Sequence, residues 1–284
     1  MKADCHIHML LDGQDWRRAI DGHRSQPDRD LIRCRLRQYA EEGFTYLRDG
    51  GDRWGVGAAA REIAPEFGIT YRTPLSPLCR AGHYGAFIGK KFENLKGYAR
   101  LVGETRQRGG DFIKIMISGL MDFDRCGVLT EEGLAPDVIA EMIHIAHEEG
   151  FAVMAHANGA RTIEAAACAG VESIEHGAYQ DDASMQAMAE NATVWCPTLS
   201  AIGNLRGTGR FEERAVSAIY GSAVENVRRF AKIGGLIALG SDAGAWAVPH
   251  VRGGTDEYAQ LAHALGADLE TVMIAGTDAV RTKF

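Results

Sequence analysis

The feature that most constrains this chain is an alternation. Eight short apolar runs, at residues 3–9, 44–48, 69–75, 112–117, 151–155, 173–176, 193–197 and 236–241, are separated by segments of helical period, among them 58–67, 136–149, 161–169, 184–190 and 213–233. Strands joined through helices pair in parallel, because the helix carries the chain back to the end of the sheet where it began. Eight such units fit a (β/α)8 TIM barrel better than an open sheet, and 284 residues suit one barrel domain spanning 1–284. In such a barrel the chemistry gathers where the C-terminal ends of the strands open into loops, so those ends are the positions to inspect.

The first run ends Asp4-Cys5-His6-Ile7-His8. Side chains alternate faces along a strand, which puts His6 and His8 together and turns Cys5 and Ile7 the other way. Two imidazoles on one face suit chelation of a cation, or a hydrogen-bonded histidine pair without one. The fourth run centres Lys114 among apolar residues, a burial that requires a carboxylate partner or a neutral amine. The fifth and sixth runs end in His156 and His176, and the eighth opens into its loop at Asp242, where an aspartate also serves as a helix cap. Each residue alone has such an ordinary reading. All six falling at strand ends on one rim does not.

The bulk composition narrows the partners. With 46% hydrophobic residues the chain can bury a large core, and a net charge of −7 argues against nucleic acid or an anionic membrane surface. No apolar run reaches the roughly 20 residues that cross a bilayer, and the first residues lack the apolar stretch of a signal peptide. The six cysteines are scattered, with no C-x-x-C pair, which reads as reduced thiols and a cytoplasmic setting. The glycine-rich stretch 50–57 matches no phosphate-binding motif, and His144 and His147 on a helix do not make H-E-x-x-H.

Taken together, D-C-H-I-H (4–8), F-T-Y-L-R-D-G-G (44–51), D-F-I-K-I-M-I-S-G (111–119), V-M-A-H-A (153–157), S-I-E-H-G (173–177), C-P-T-L (196–199) and A-L-G-S-D-A-G (238–244) resemble the amidohydrolase superfamily, in particular its imidazolonepropionase-like and prolidase-like branch. The resemblance implies a binuclear site. His6, His8 and Asp242 would hold a buried metal, His156 and His176 a more exposed one, and Lys114, carboxylated on its side-chain nitrogen, would bridge them. Imidazole and carboxylate ligation suits zinc, with manganese, iron and cobalt as alternatives. The family's usual small β-sandwich domain has no expected counterpart here, since the first strand starts at residue 3, and the surface this would leave uncovered hints at a homo-oligomer.

The activity so implied is hydrolysis of an amide C–N bond in a small substrate, such as a dipeptide, an N-acyl amino acid or a cyclic amide. Paired divalent ions would activate the water, and Asp242 would carry the proton to the leaving amine. Lactone or carbamate hydrolysis, a decarboxylase or isomerase, and an inactive metal-binding barrel are the alternatives. His83, in a loop resembling the family's G-G-H-G, would hydrogen-bond an oxyanion or a substrate carboxylate, unless it is a solvated loop residue. Arg80 and Arg48 are candidates to pair with a substrate carboxylate, and Arg48 has the alternative of holding a carboxylate of the barrel itself.

Overall fold

Each of the eight apolar runs forms a strand in the computed structural model, which describes residues 2–284. They are β1 (Lys2–Ile7), β2 (Phe44–Asp49), β3 (Thr70–Arg72), β6 (Ile113–Met116), β7 (Val153–Ala157), β8 (Ser173–His176), β9 (Val194–Cys196) and β10 (Leu236–Ile237). Two further strands, β4 (Leu78–Arg80) and β5 (Lys90–Phe92), lie between β3 and β6 in the chain. The paired strands run parallel, as the intervening helices require.

The third run does not continue to residue 75 as expected. Pro74 and Pro77 have no N–H to give a ladder, and Leu75 sits at φ 65°, so the chain jogs. Before the jog β3 pairs with β2; after it β4 pairs with β6. The ladders therefore form two sheets, β1-β2-β3 and β10-β9-β8-β7-β6-β4-β5, rather than the single eight-stranded ring anticipated. At one junction Cys5 N–H donates to the Leu239 carbonyl (2.8 Å), Asp242 N–H to His6 (2.7 Å) and His8 N–H to Ala243 (2.7 Å). At the other, Asp111 N–H donates to the Thr73 carbonyl (3.0 Å).

Both sheets contribute to one buried cluster, with Ala3, Cys5 and Tyr46 from the first and Met154, Val194 and Cys196 from the second, closed by Val280 and Phe284 of the last helix. Helices pack on the opposite faces. In the helix Pro136–Glu148 a proline opens the first turn, and Ile139, Met142, Ile143 and Ala146 recur at the helical period and are buried. Each of the larger side chains among them contributes about 1.5–3 kcal/mol by leaving water. His147 pairs with Glu172 (3.1 Å) at the N-terminal ends of β7 and β8, opposite the ends that carry His156 and His176, and His144 is exposed.

Candidate metal centre

Strict alternation fails in β1, and the failure shapes the site. Asp4 pairs with Leu47 and Ile7 with Asp49, so three steps along β1 match two along β2. This bulge lets Cys5 join the inner cluster while His6 also points inward, correcting the expectation that Cys5 faces away from His6. Ile7 packs outward among Leu36, Leu47 and Val56, and His8 returns to the His6 side.

Asp242 follows β10 through Gly240, where an added Cβ would lie 2.8 Å from the His6 Cβ. That glycine lets the two segments approach. Asp242 itself takes φ 60° and His176 φ 68°, conformations that cost non-glycine residues energy and that concentrate at functional sites. Three donor atoms then converge: His6 Nε2 to His8 Nε2 is 3.3 Å, His6 Nε2 to Asp242 Oδ1 3.5 Å, and His8 Nε2 to Asp242 Oδ1 3.4 Å. Tetrahedral zinc with bonds of about 2.0–2.1 Å has ligand–ligand edges of about 3.3–3.4 Å. The triangle fits one face of such a tetrahedron.

The protons are arranged for ligation. His6 Nδ1 lies 2.7 Å from Glu175 Oε2, an acceptor that fixes the proton on Nδ1 and leaves the Nε2 lone pair aimed at the centre. His156 Nε2 lies 3.1 Å from the Gly119 carbonyl, which likewise holds the proton there and frees Nδ1. His176 Nδ1 meets Thr198 Oγ1 at 2.8 Å. Burial above all, with neighbouring positive charge, pushes His6 and His176 well below the ordinary imidazole range and His8 and His156 to about 3. All four are neutral near pH 7. The rings form a chain, with centroids 5.3 Å apart for His6–His8, 5.1 Å for His6–His176 and 4.6 Å for His156–His176.

Lys114 lines the same cavity as all four, and its charge depresses each of them. Its Nζ is buried and has no hydrogen-bond partner, and burial lowers its pKa to about 8. An amine that readily loses its proton, facing neutral imidazoles, has the character needed to take up CO2 as a carbamate. The structure thus brings His6, His8, Lys114, His156, His176 and Asp242 to one wall of a cavity of about 850 Å³.

Three expected substrate contacts fall elsewhere. Arg48 is wholly buried beneath the histidines: its Nη2 meets Glu175 Oε1 at 2.8 Å, Nη1 meets Ser173 Oγ at 2.9 Å, and Nε meets the Cys5 carbonyl at 2.6 Å. All three of its nitrogens donate to the protein, and its carboxylate partner is Glu175, a residue of the fold. Arg80 is exposed and lies outside the cavity wall. His83 pairs with Glu131 (2.6 Å), and the wall takes its neighbour Tyr84 instead. His250, between the Leu11 carbonyl (2.9 Å) and Tyr39 Oη (3.2 Å), is likewise committed to the fold.

Sequence reasoning did not single out Glu175 or Gly50. A glutamate inside the run Ser173–His176 was a legible sign of a buried carboxylate in need of a cation. Gly50 had no such sign, because only the folded chain shows that a Cβ there would strike the His8 ring.

No family model matches the sequence. An ochratoxinase from Aspergillus niger is 24% identical over 278 residues, covering 84% of this chain and 56% of that protein. An uncharacterised protein of Mycobacterium tuberculosis is 30% identical over 178 residues, 59% of this chain and 46% of that one. The chain thus spans about half the length of the curated relatives it matches. Among solved structures, a Xaa-Pro dipeptidase superposes with a TM-score of 0.79 at 20% identity, covering 99% of this chain and 75% of the dipeptidase. The A. niger ochratoxinase gives 0.79 at 21%, covering 98% and 70%, and a prolidase complexed with N-methylphosphonate-L-proline gives 0.74 at 22%, covering 99% and 74%. The chain therefore shares the fold of these proteins over nearly its whole length.

Proposed function

We propose that the chain is a metal-dependent hydrolase that cleaves an amide C–N bond of a small molecule, its strands forming the barrel whose mouth carries the site. The observation that supports this most is the triangle of two neutral imidazoles, His6 and His8, and the Asp242 carboxyl, beside the unpartnered, readily deprotonated Lys114. His6, His8 and Asp242 would hold one divalent ion and His156 and His176 a second, with Lys114, as its carbamate, between them. Zinc suits this donor set. Ions bound there supply Lewis acidity and lower the pKa of water toward about 7.

The chain's own residues do the rest. Glu175, anchored by Arg48 (2.8 Å), holds the His6 ring in the tautomer that presents Nε2. The Gly119 carbonyl does the same for His156. Burial raises the Asp242 carboxyl to about 7, so near neutral pH it can accept a proton and return it to the leaving amine. Tyr84, its ring 4.8 Å from His156, borders the place a scissile carbonyl would occupy. Six unpaired cysteines agree with a reducing, cytoplasmic setting.

Asp242→Asn in zinc-loaded protein, assayed against dipeptides, N-acyl amino acids and lactones, tests the reading. The expected result is amide turnover by the parent chain and its loss in the variant, with the fold retained by circular dichroism. Parent-like activity in the variant, or turnover of lactones alone, would overturn it.

A further inference from the structure

An arginine occupies the inward face of a helix, among core residues. Along Arg29–Glu41 the buried positions are Ile32, Arg35, Leu36 and Tyr39, one stripe at the helical period. Arg35 is 8% exposed, and burial pulls its pKa below the ordinary arginine value. A guanidinium in such a place calls for a carboxylate partner, and Arg48, also buried, has one in Glu175. Among the described residues Arg35 has none. Its Nη1 donates to the Met9 carbonyl, while Nε and Nη2 meet no acceptor and are not sealed from solvent. Nε and Nη2 form one edge of the guanidinium, the edge that pairs side-on with two oxygens of a single anion.

Arg35 lines a pocket of about 290 Å³ beside the helices Trp16–His23 and Arg29–Glu41, which shares no lining residue with the metal cavity. His23, 2% exposed, lines it too. Its Nδ1 accepts from Asp28 N–H (3.0 Å), which fixes the ring proton on Nε2, and among the described residues that N–H has no acceptor. Both acidic residues of the pocket are engaged elsewhere. Asp12 holds Arg18 (2.8 Å) and the N–H groups of Gln14 and Asp15, and Asp28 caps its helix by accepting from Leu31 N–H (2.9 Å). Ala19 and Leu31 add an apolar side. Sites for drug-sized molecules start at about 300 Å³, so the occupant is smaller than that class.

We propose that this pocket binds a short aliphatic carboxylate, its two oxygens side-on to Nε and Nη2 of Arg35, with His23 Nε2–H as a third donor and Ala19 and Leu31 against the alkyl group. The site does not depend on the hydrolase reading. The guanidinium that would hold the anion also holds the carbonyl of Met9, the residue after His8.

Calorimetry on the full chain tests this, with chelator present to keep metal-bound carboxylate out of the signal. Propionate should fill one site per chain. It should bind at least tenfold tighter than propionamide, which has its shape without its charge, and than phosphate, which has no alkyl group and more charge to set against Asp12 and Asp28. Lys114→Met, which removes the other buried cation without an ion pair, should bind propionate as the parent does. Arg35→Gln should weaken propionate at least tenfold. Because Arg35 also supports Met9, Asp28→Asn gives a second test that keeps the helix cap. The Asp28 charge acts on Arg35, so its removal should tighten propionate at least threefold. No binding by the parent, phosphate binding as tight as that of propionate, or no gain in Asp28→Asn would overturn the proposal. So would binding that Arg35→Gln leaves intact or that Lys114→Met abolishes.

Discussion

Arg48 and Lys114 are both fully buried, on strands β2 and β6 that face the same interior. Around Arg48 the fold supplies a carboxylate, a hydroxyl and a carbonyl at 2.6–2.9 Å, and the ring of Phe284 covers the guanidinium at 4.4 Å. Around Lys114 it supplies no hydrogen-bond partner: imidazoles that the lysine charge disfavours from protonating stand near it, and Glu175 and Asp242 act on it only through their charge. A buried charge left unpaired costs several kcal/mol, so two cations a short way apart with opposite treatment have different tasks. Arg48 belongs to the floor that holds the site in shape. Lys114, on the proposed function, belongs to the part that holds the metal ions.

The largest effect that can break this contrast lies in the floor. Glu175→Gln removes the charge that pairs with Arg48 and leaves one acceptor oxygen where Arg48 and His6 each use one. A loss of about 3–5 kcal/mol in denaturant-monitored stability is expected, together with weaker zinc retention. A loss below about 1 kcal/mol would mean the floor is not held by that pair.

Gly50→Ala is next. Its new methyl group would meet the His8 ring, so the expected outcome is about 1–3 kcal/mol of destabilisation from overpacking and a weakened first metal position. Thermal melts and zinc competition against a chelator check both.

Lys114→Met should act in the opposite sense on the metal-free protein, stabilising it by about 1–3 kcal/mol near neutral pH, because the removed ammonium was buried without a partner. The contrast sharpens with pH. The folded amine is depressed to about 8 from 10.5, so between those values the unfolded chain binds the extra proton. Metal-free parent protein therefore gains stability relative to Lys114→Met as pH rises from about 8 to 10.5, and loses it as pH falls back through 8. A flat difference across that window would show that the lysine is not desolvated as described.

How much of this was legible in the sequence follows the same division. The positions of Lys114, His156, His176 and Asp242 could be read because each lies within or at the end of a run whose apolar character is local, and those of His6 and His8 because their spacing is local too. The floor could not be read in full, since Arg48 meets Glu175 across 127 residues and nothing in either neighbourhood names the other. The β1 bulge and the Pro74–Pro77 jog depend on register against partner strands, which the alternation of one strand does not contain. His83 falls outside the cavity wall for a third reason: it sits in a loop, where a one-residue step exchanges a cavity residue, Tyr84, for one paired with Glu131, while Arg80 ends β4 with its side chain exposed.

Metal stoichiometry measures the central claim most directly. The protein is incubated with zinc and bicarbonate, desalted and analysed by plasma mass spectrometry beside Lys114→Met prepared identically. About two equivalents per chain are expected for the parent and one or fewer for the variant. Equal content in the two proteins, or none in the parent, would contradict the reading that Lys114 is left unpaired in order to complete a metal centre.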